Sequence, residues 1–179
     1  MSSEGERPVA GETTQRPLPE PLKMITTYVS LDFTITPGEA PARFLKGMME
    51  GRILGERCPK CRKVYMPPRG SCATCAVPTR EQVELSNHGT VTTFCVVNLP
   101  FYGQAVEIPY VCASVVLDGA DLPFFCLLAE CPVDQVRMGM RVEAVWCEEA
   151  DRKPSLENIR YMRPNGEPDA PYESYKEHL

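Results

Sequence analysis

Apolar positions change their spacing along the chain, and each change marks an element. Residues 1–22 are rich in Pro, Glu, Thr and Gly with almost no apolar spacing, the composition of a disordered arm. Met24–Ile35 is rich in β-branched residues and partly alternates, which predicts an extended segment ended by Thr36-Pro37-Gly38. Residues 40–50 switch to helical spacing. Phe44, Leu45, Met48 and Met49 share one face, and Arg43, Lys46 and Glu50 lie on the other. Pro41 suits the first turn and Gly51 the stop, so residues 23–51 read as an extended segment followed by an amphipathic helix. Such a stripe either packs against its own domain or docks into another protein.

From Val83 onward the period is two. Val83–Asn98 reads as one long strand with a bulge or bend at Asn87-His88-Gly89. Ile108–Leu117 is a second strand, and Asp118-Gly119-Ala120-Asp121 turns into a third, Leu122–Ala129. Pro132–Val136 can form one helical turn ending near Gly139. Arg141–Cys147 alternates with Val142, Ala144 and Trp146 on one face, and Leu156–Met162 is the last strand before Pro164-Asn165-Gly166. Five short strands over residues 83–163 fit a Greek-key barrel of the OB type, with residues 164–179 as a C-terminal tail. A short sandwich fits the pattern almost as well. The fold expected is mainly β: an N-terminal helix, a zinc ribbon over residues 52–82 and a five-stranded OB-fold barrel.

Composition narrows the class. The 18 prolines among 179 residues argue against a helical bundle. No apolar run approaches the ~18–20 residues that span a bilayer, and the first residues lack the apolar core of a secretory signal. Nine cysteines, four of them clustered, point to a metal site in a reducing cytoplasm rather than a disulfide framework.

Charge is segregated. Residues 41–80 carry two acids and nine bases, whereas residues 81–147 carry eight acids and two bases. The basic block is either an anion- or partner-facing surface or a solvated offset to a cysteine-bound metal.

The chemistry sits in that block. Cys58-Pro59-Lys60-Cys61 is followed, after ten residues, by Cys72-Ala73-Thr74-Cys75. Two such knuckles can place four thiolates tetrahedrally around one ion at Zn–S of about 2.3 Å. Val64 to Arg69 leaves room for a short hairpin between them, which describes a zinc ribbon. A four-thiolate ion has no open position, so its role is structural; iron in a rubredoxin-like electron carrier is the other occupant of this geometry. Cys95, Cys112, Cys126, Cys131 and Cys147 fall in the β region and read as buried structural thiols. His88, at a bend, and His178, in the tail, belong to no recognisable catalytic signature, and Asp118 and Asp121 read as turn formers, so no catalytic residue is assigned.

Several segments occur in a familiar order: the amphipathic helix, Cys58–Cys61, Pro67-Pro68-Arg69, Cys72–Cys75, Gly89-Thr90-Val91, Pro109-Tyr110-Val111 and Met138-Gly139-Met140-Arg141-Val142. Over about residues 40–150 the chain resembles the rubredoxin-like zinc ribbon plus OB-fold family, a domain of unknown function encoded beside thiolase-superfamily enzymes. Gly51-Arg52-Ile53-Leu54-Gly55 and Tyr172–His178 look most like actinobacterial members beside sterol-carrier-type thiolases, and a similar protein is the small subunit of benzoylsuccinyl-CoA thiolase. The N-terminal arm and the tail depart from the core family.

The resemblance implies a non-catalytic, cytoplasmic subunit with one structural Zn2+. Its partner would be a thiolase or retro-aldolase of acyl-CoA, steroid or aromatic degradation, in a hetero-oligomer of the 2+2 kind, with CoA or acyl-CoA shared between the chains. Arg52, Arg57, Lys60, Lys63 and Arg69 are then candidates to meet CoA phosphates, each otherwise a solvated charge. Phe44, Met48 and Met49, with Phe101 and Tyr102 in the loop Leu99-Pro100-Phe101-Tyr102-Gly103, are candidate partner anchors; that loop could instead fold back on the barrel. The competing class is a single-stranded nucleic-acid-binding module, which the acidic barrel segment disfavours.

Overall fold

The computed structural model describes residues 29, 31–100 and 103–179. Residues 1–35 and 36–179 form two separate units. The expected disordered arm lies outside the described residues, as does half of the expected extended segment. Residues 29 and 31–35 belong to no sheet, and Val29, Leu31, Phe33 and Ile35 are exposed.

Residues 36–179 open with helix α1, Glu39–Met49, with Glu39 in its first turn and Lys46 in its last, as the helix dipole favours. Gly47 faces the next strand closely: a Cβ there would sit 2.8 Å from Leu54 Cδ1. That contact sets α1 against the ribbon sheet. The sheet has three strands, β1 (Ile53–Arg57), β2 (Val64–Tyr65) and β3 (Glu81–Leu85), in the order β2-β1-β3, all antiparallel.

The barrel is built from β4 (His88–Val97), β5 (Tyr110–Leu117), β6 (Phe124–Leu128), β7 (Arg141–Trp146) and β8 (Ile159–Pro164), closed in the order β4-β5-β6-β8-β7. The closing pair β6–β8 is parallel and meets at Leu128 and Met162; the other pairs are antiparallel. At Gly89 β4 passes close against β5, since a Cβ would lie 2.6 Å from the Val116 carbonyl oxygen. Five strands in a closed barrel after a helix and a ribbon are the mainly β architecture expected from the alternation.

Three details differ from the sequence reading. The single strand expected over Val83–Asn98 is two strands: β3 completes the ribbon sheet against β1, and only β4 enters the barrel. β1 was not foreseen at all, because Ile53–Arg57 is short and lies next to a helix stop. Leu156 belongs to a short 3-10 turn, Leu156–Asn158, and the final strand is shifted to Ile159–Pro164.

One hydrophobic core runs through helix, ribbon and barrel. It joins Phe44 and Met48 of α1, Ile53, Val64, Met66 and Leu85 of the ribbon, and Val91, Val115, Leu117, Val142 and Met162 of the barrel. Each large side chain removed from water in this way stabilises the fold by about 1.5–3 kcal/mol. A buried asparagine spans the junction. Asn158 Nδ2 donates to the carbonyls of Met48 (3.0 Å) and Lys153 (2.7 Å), and its Oδ1 accepts from the Lys153 N–H (3.1 Å). The C-terminal segment lies against the barrel. Ala170 N–H donates to the Gly139 carbonyl, Arg137 pairs with Asp169, and Tyr175 is buried. No described helix is long and apolar enough to cross a membrane.

Candidate functional site

The two knuckles fold as near copies of each other. In the first, Cys61 N–H donates to Cys58 Sγ (3.4 Å), Arg62 N–H to the Cys58 carbonyl (3.1 Å) and Cys58 N–H to the Lys63 carbonyl (2.8 Å). In the second, Cys75 N–H donates to Cys72 Sγ (3.3 Å), Ala76 N–H to the Cys72 carbonyl (2.9 Å) and Cys72 N–H to the Val77 carbonyl (2.9 Å). Each ends on a left-handed residue, Arg62 (φ 67°) and Ala76 (φ 52°), a conformation that favours glycine. Sequence reading missed this pair because neither residue is a glycine.

The four sulfurs of Cys58, Cys61, Cys72 and Cys75 lie within 4.8 Å of one another. A tetrahedral ion with four sulfurs at about 2.3 Å requires sulfur–sulfur edges of about 3.8 Å, and Cys61 Sγ to Cys72 Sγ is 3.6 Å. The donor set and its spacing therefore fit a structural zinc ion. The surroundings favour thiolates. Burial pushes the Cys58 thiol up, but the N–H groups of Cys61 and Lys60 outweigh it and the net shift is downward. The Tyr65 hydroxyl, 3.1 Å from Cys72 Sγ, holds the Cys72 thiol down at about 6. Tyr65 is buried with Cys58 and Cys72, and no motif announces its role.

A second unforeseen feature adjoins the metal centre. Glu56 is buried to 1% exposure on β1; Arg43 Nη2 donates to it at 2.6 Å and the Thr79 hydroxyl at 2.9 Å. The carboxylate ties α1 to the end of the second knuckle, and its burial is tolerable because both oxygens are satisfied.

The five candidate CoA contacts do not converge. Arg52 is engaged by Glu50 and Glu84, and Arg57 by Glu81. Lys60 and Lys63 are free of ion pairs among the described residues. Lys63 lines a cavity with Asp121, Glu177 and His178, and Arg69 lines a separate one of about 230 Å³ with Arg43 and Arg80.

The candidate anchors divide likewise. Phe44 and Met48 are buried in the chain's own core, so the helix stripe packs inward and these two do not face a partner. Met49 is half-exposed. Phe101 and Tyr102 lie outside the described residues, but Leu99 of the same loop is 80% exposed. The strand register turns Cys95, Cys112, Phe125 and Leu127 to the outer barrel face, where Phe125 is 68% exposed.

The remaining cysteines are not uniformly buried, contrary to the sequence reading. Cys95 is exposed and Cys112, Cys126, Cys131 and Cys147 are half-buried. His88 sits at the barrel rim near Glu143 (3.9 Å) and Glu167 (3.8 Å), with Asn165 Nδ2 at 3.4 Å from its Nδ1.

Two family profiles match consecutive stretches of the chain: "ChsH2, rubredoxin-like zinc ribbon domain" over residues 46–79 and "ChsH2, C-terminal OB-fold domain" over residues 82–147. A "DUF35 domain-containing scaffold protein" of Methanocaldococcus jannaschii is 35% identical over 96 residues, 52% of this chain and 67% of that one. A "Probable enoyl-CoA hydratase alpha subunit" of Thermomonospora curvata is 29% identical over 126 residues, 70% of this chain but only 39% of that protein. Among solved structures, an "Ltp2-ChsH2(DUF35) aldolase" chain superposes with a TM-score of 0.55 at 25% identity, over 73% of this chain and 98% of that one. A DUF35 protein of Sulfolobus solfataricus shares the fold, with a TM-score of 0.54 at 19% identity over 71% of this chain and 84% of that one. With its ribbon and barrel matched in order, the chain belongs to the DUF35 family.

Proposed function

We propose that this chain is a non-catalytic accessory subunit of a thiolase-superfamily acyl-CoA enzyme, a thiolase or retro-aldolase, which it stabilises and whose CoA-ester passage it helps enclose. The observation that carries the reading is the superposition on 98% of a chain of an "Ltp2-ChsH2(DUF35) aldolase". The metal centre supports it: four thiolates complete a tetrahedral shell, so a bound zinc braces the ribbon and offers no site for substrate. The scaffold relatives point the same way.

The outer barrel face with Phe125 and Leu127, together with Leu99 and the half-exposed Met49, supplies apolar area for docking. Phe101 and Tyr102 belong to the same proposal through their loop. For CoA phosphates the best-placed residue is Arg69, whose cavity adds Arg80; Lys60 and Lys63 remain candidates beside it, whereas Arg52 and Arg57, like Arg43 in that cavity, would first have to leave their carboxylates. A hetero-oligomer of the 2+2 kind in the cytoplasm completes the proposal.

The test is purification of the tagged full chain from its native host at low salt. A thiolase-superfamily protein recovered in stoichiometric amount, identified by mass spectrometry, is the expected result. Recovery of the folded chain alone overturns the reading, and so does thioester turnover by the isolated chain.

A further inference from the structure

Cys95 on β4 and Cys112 on β5 are direct cross-strand partners. Residues opposite each other in an antiparallel ladder have Cα atoms about 4.5–5.5 Å apart, inside the ~4.4–6.8 Å that a disulfide spans. Both side chains leave the same, outer side of the sheet. Their neighbours Phe94, Ala113 and Val111 point into the core, while Thr93 and Ser114 flank them outside. Cys95 is exposed and Cys112 half-buried, so reagent in solution reaches the first and the second lies behind it. Burial, followed by the neighbouring Cys95, pushes the Cys112 thiol up.

The other cysteines are placed differently. Cys126 lies one strand further on, but on the core side, with its thiol donating to the Ala113 carbonyl at 3.7 Å. Cys147 donates to Asn158 Oδ1 at 3.8 Å. The four metal-centre cysteines lie in the ribbon.

We propose that Cys95 and Cys112 form a reversible dithiol–disulfide site on the outer face of the barrel, oxidised by a low-molecular-weight disulfide. The Cys95 thiolate attacks one sulfur of the reagent R–S–S–R. The reagent bond breaks, a mixed disulfide Cys95–S–S–R forms, and R–S⁻ leaves with the proton that Cys95 gave up. Cys112, once deprotonated, attacks Cys95 Sγ and expels the second R–S⁻, which takes up the Cys112 proton. The chain loses two protons and two electrons, and the reagent, taking them up, becomes two thiols. The product bond joins β4 to β5 on the outer face, beside Thr93 and Ser114.

The experiment uses the full, zinc-loaded chain and millimolar oxidised glutathione. Cleavage by glutamyl endopeptidase after Glu84, Glu107 and Glu130 separates Cys95, in residues 85–107, from Cys112, in residues 108–130. The expected result is an intact chain lighter by two hydrogens, with these two fragments joined and released again by dithiothreitol. Cys126→Ser leaves the crosslink in place. Cys112→Ser abolishes it and traps Cys95 as the glutathione mixed disulfide. A wild-type chain that stops at that mixed disulfide, stays fully reduced, or joins its fragments through Cys126 overturns the proposal. Zinc content followed in parallel shows that the ribbon stays loaded, so a crosslink does not arise from a collapsed metal centre.

Discussion

Asn158 offers the sharpest test of how the helix and ribbon are held to the barrel. Its side chain is 1% exposed and bonds three backbone groups, the Met48 carbonyl at the end of α1 and both polar groups of Lys153. Each neutral hydrogen bond contributes about 0.5–1.5 kcal/mol net, so Asn158→Ala is expected to cost about 3 kcal/mol. Truncation also leaves a small void, which confuses hydrogen bonding with packing. Asn158→Asp separates them, because it keeps the shape and replaces the Nδ2 donor by an acceptor facing two carbonyl oxygens. It is expected to be at least as damaging. Urea denaturation of the zinc-loaded chain measures both. The midpoint should fall with an unchanged slope, and the melting temperature should drop roughly 6–12 °C, given about 2–4 °C per kcal/mol for a chain of this size. An Asn158→Asp chain within about 1 kcal/mol of wild type would refute the claim that this residue fastens α1 to the barrel.

Other outcomes follow from the same contacts. Chelation of zinc, or Cys72→Ser, should unfold the ribbon and lower the cooperativity of the remaining transition, seen by near-ultraviolet circular dichroism; a chelated chain with an unchanged spectrum would contradict the structural role of the metal. Arg141 donates to Asp118 at 2.6 and 2.7 Å, to Glu167 at 2.9 Å and to Thr90 at 2.9 Å, so Arg141→Met should destabilise at neutral pH. The hydrogen bond from Arg141 holds the Glu167 carboxyl below its ordinary 4.5. Its contribution is therefore complete above that value and is lost as pH falls through the lower folded-state value, so the gap between wild type and Arg141→Met should narrow in acid denaturation; a gap that widens there would be the wrong sign. Phe125→Ser should leave the melting temperature within a degree or two and weaken binding to the proposed thiolase-superfamily partner about tenfold or more, read by titration calorimetry; undiminished binding would move the docking surface elsewhere.

What the sequence could and could not show divides along physical lines. The knuckles were legible because ligand identity and spacing are local, and the helix because its stripe repeats within eleven residues. The partner of a strand is not local. Glu81–Leu85 alternates in the same way whether it pairs with β1 or extends the barrel, and only the sheet order decides. Phe44 and Met48 would form the same stripe against a partner as against their own core. Glu56 looked like any strand carboxylate, since Arg43 and Thr79 reach it only after folding. Cys95 shows a subtler failure. Strict alternation from the buried Val91 puts Cys95 inside. The register shift between Val91 and Thr93 takes up one extra residue, Thr92, and from there Phe94 and Val96 face inward while Cys95 turns out. One bulge reverses the side of every later residue in β4, and nothing in Thr92-Thr93 signals it.

That the core is continuous changes what the metal can do for the chain. In a ribbon joined to its barrel by a free linker, losing the ion would unfold about thirty residues and leave the barrel intact. Here Val64 and Met66 lie in the segment between the knuckles and pack in the same cluster as Val115 and Leu117 of β5. Asp121, in the β5–β6 turn, accepts the Val64 N–H at 2.7 Å and donates its own N–H to the Val64 carbonyl at 3.0 Å. The hairpin between the knuckles is thus bonded to a barrel turn at one residue, and its shape depends on four sulfurs at its base. The ion therefore fixes the barrel's β5–β6 end as well as the ribbon, and β6 carries Phe125 on the proposed docking face. A four-thiolate centre with no reactive position would then still matter to function, because the contour of the proposed docking face would depend on it.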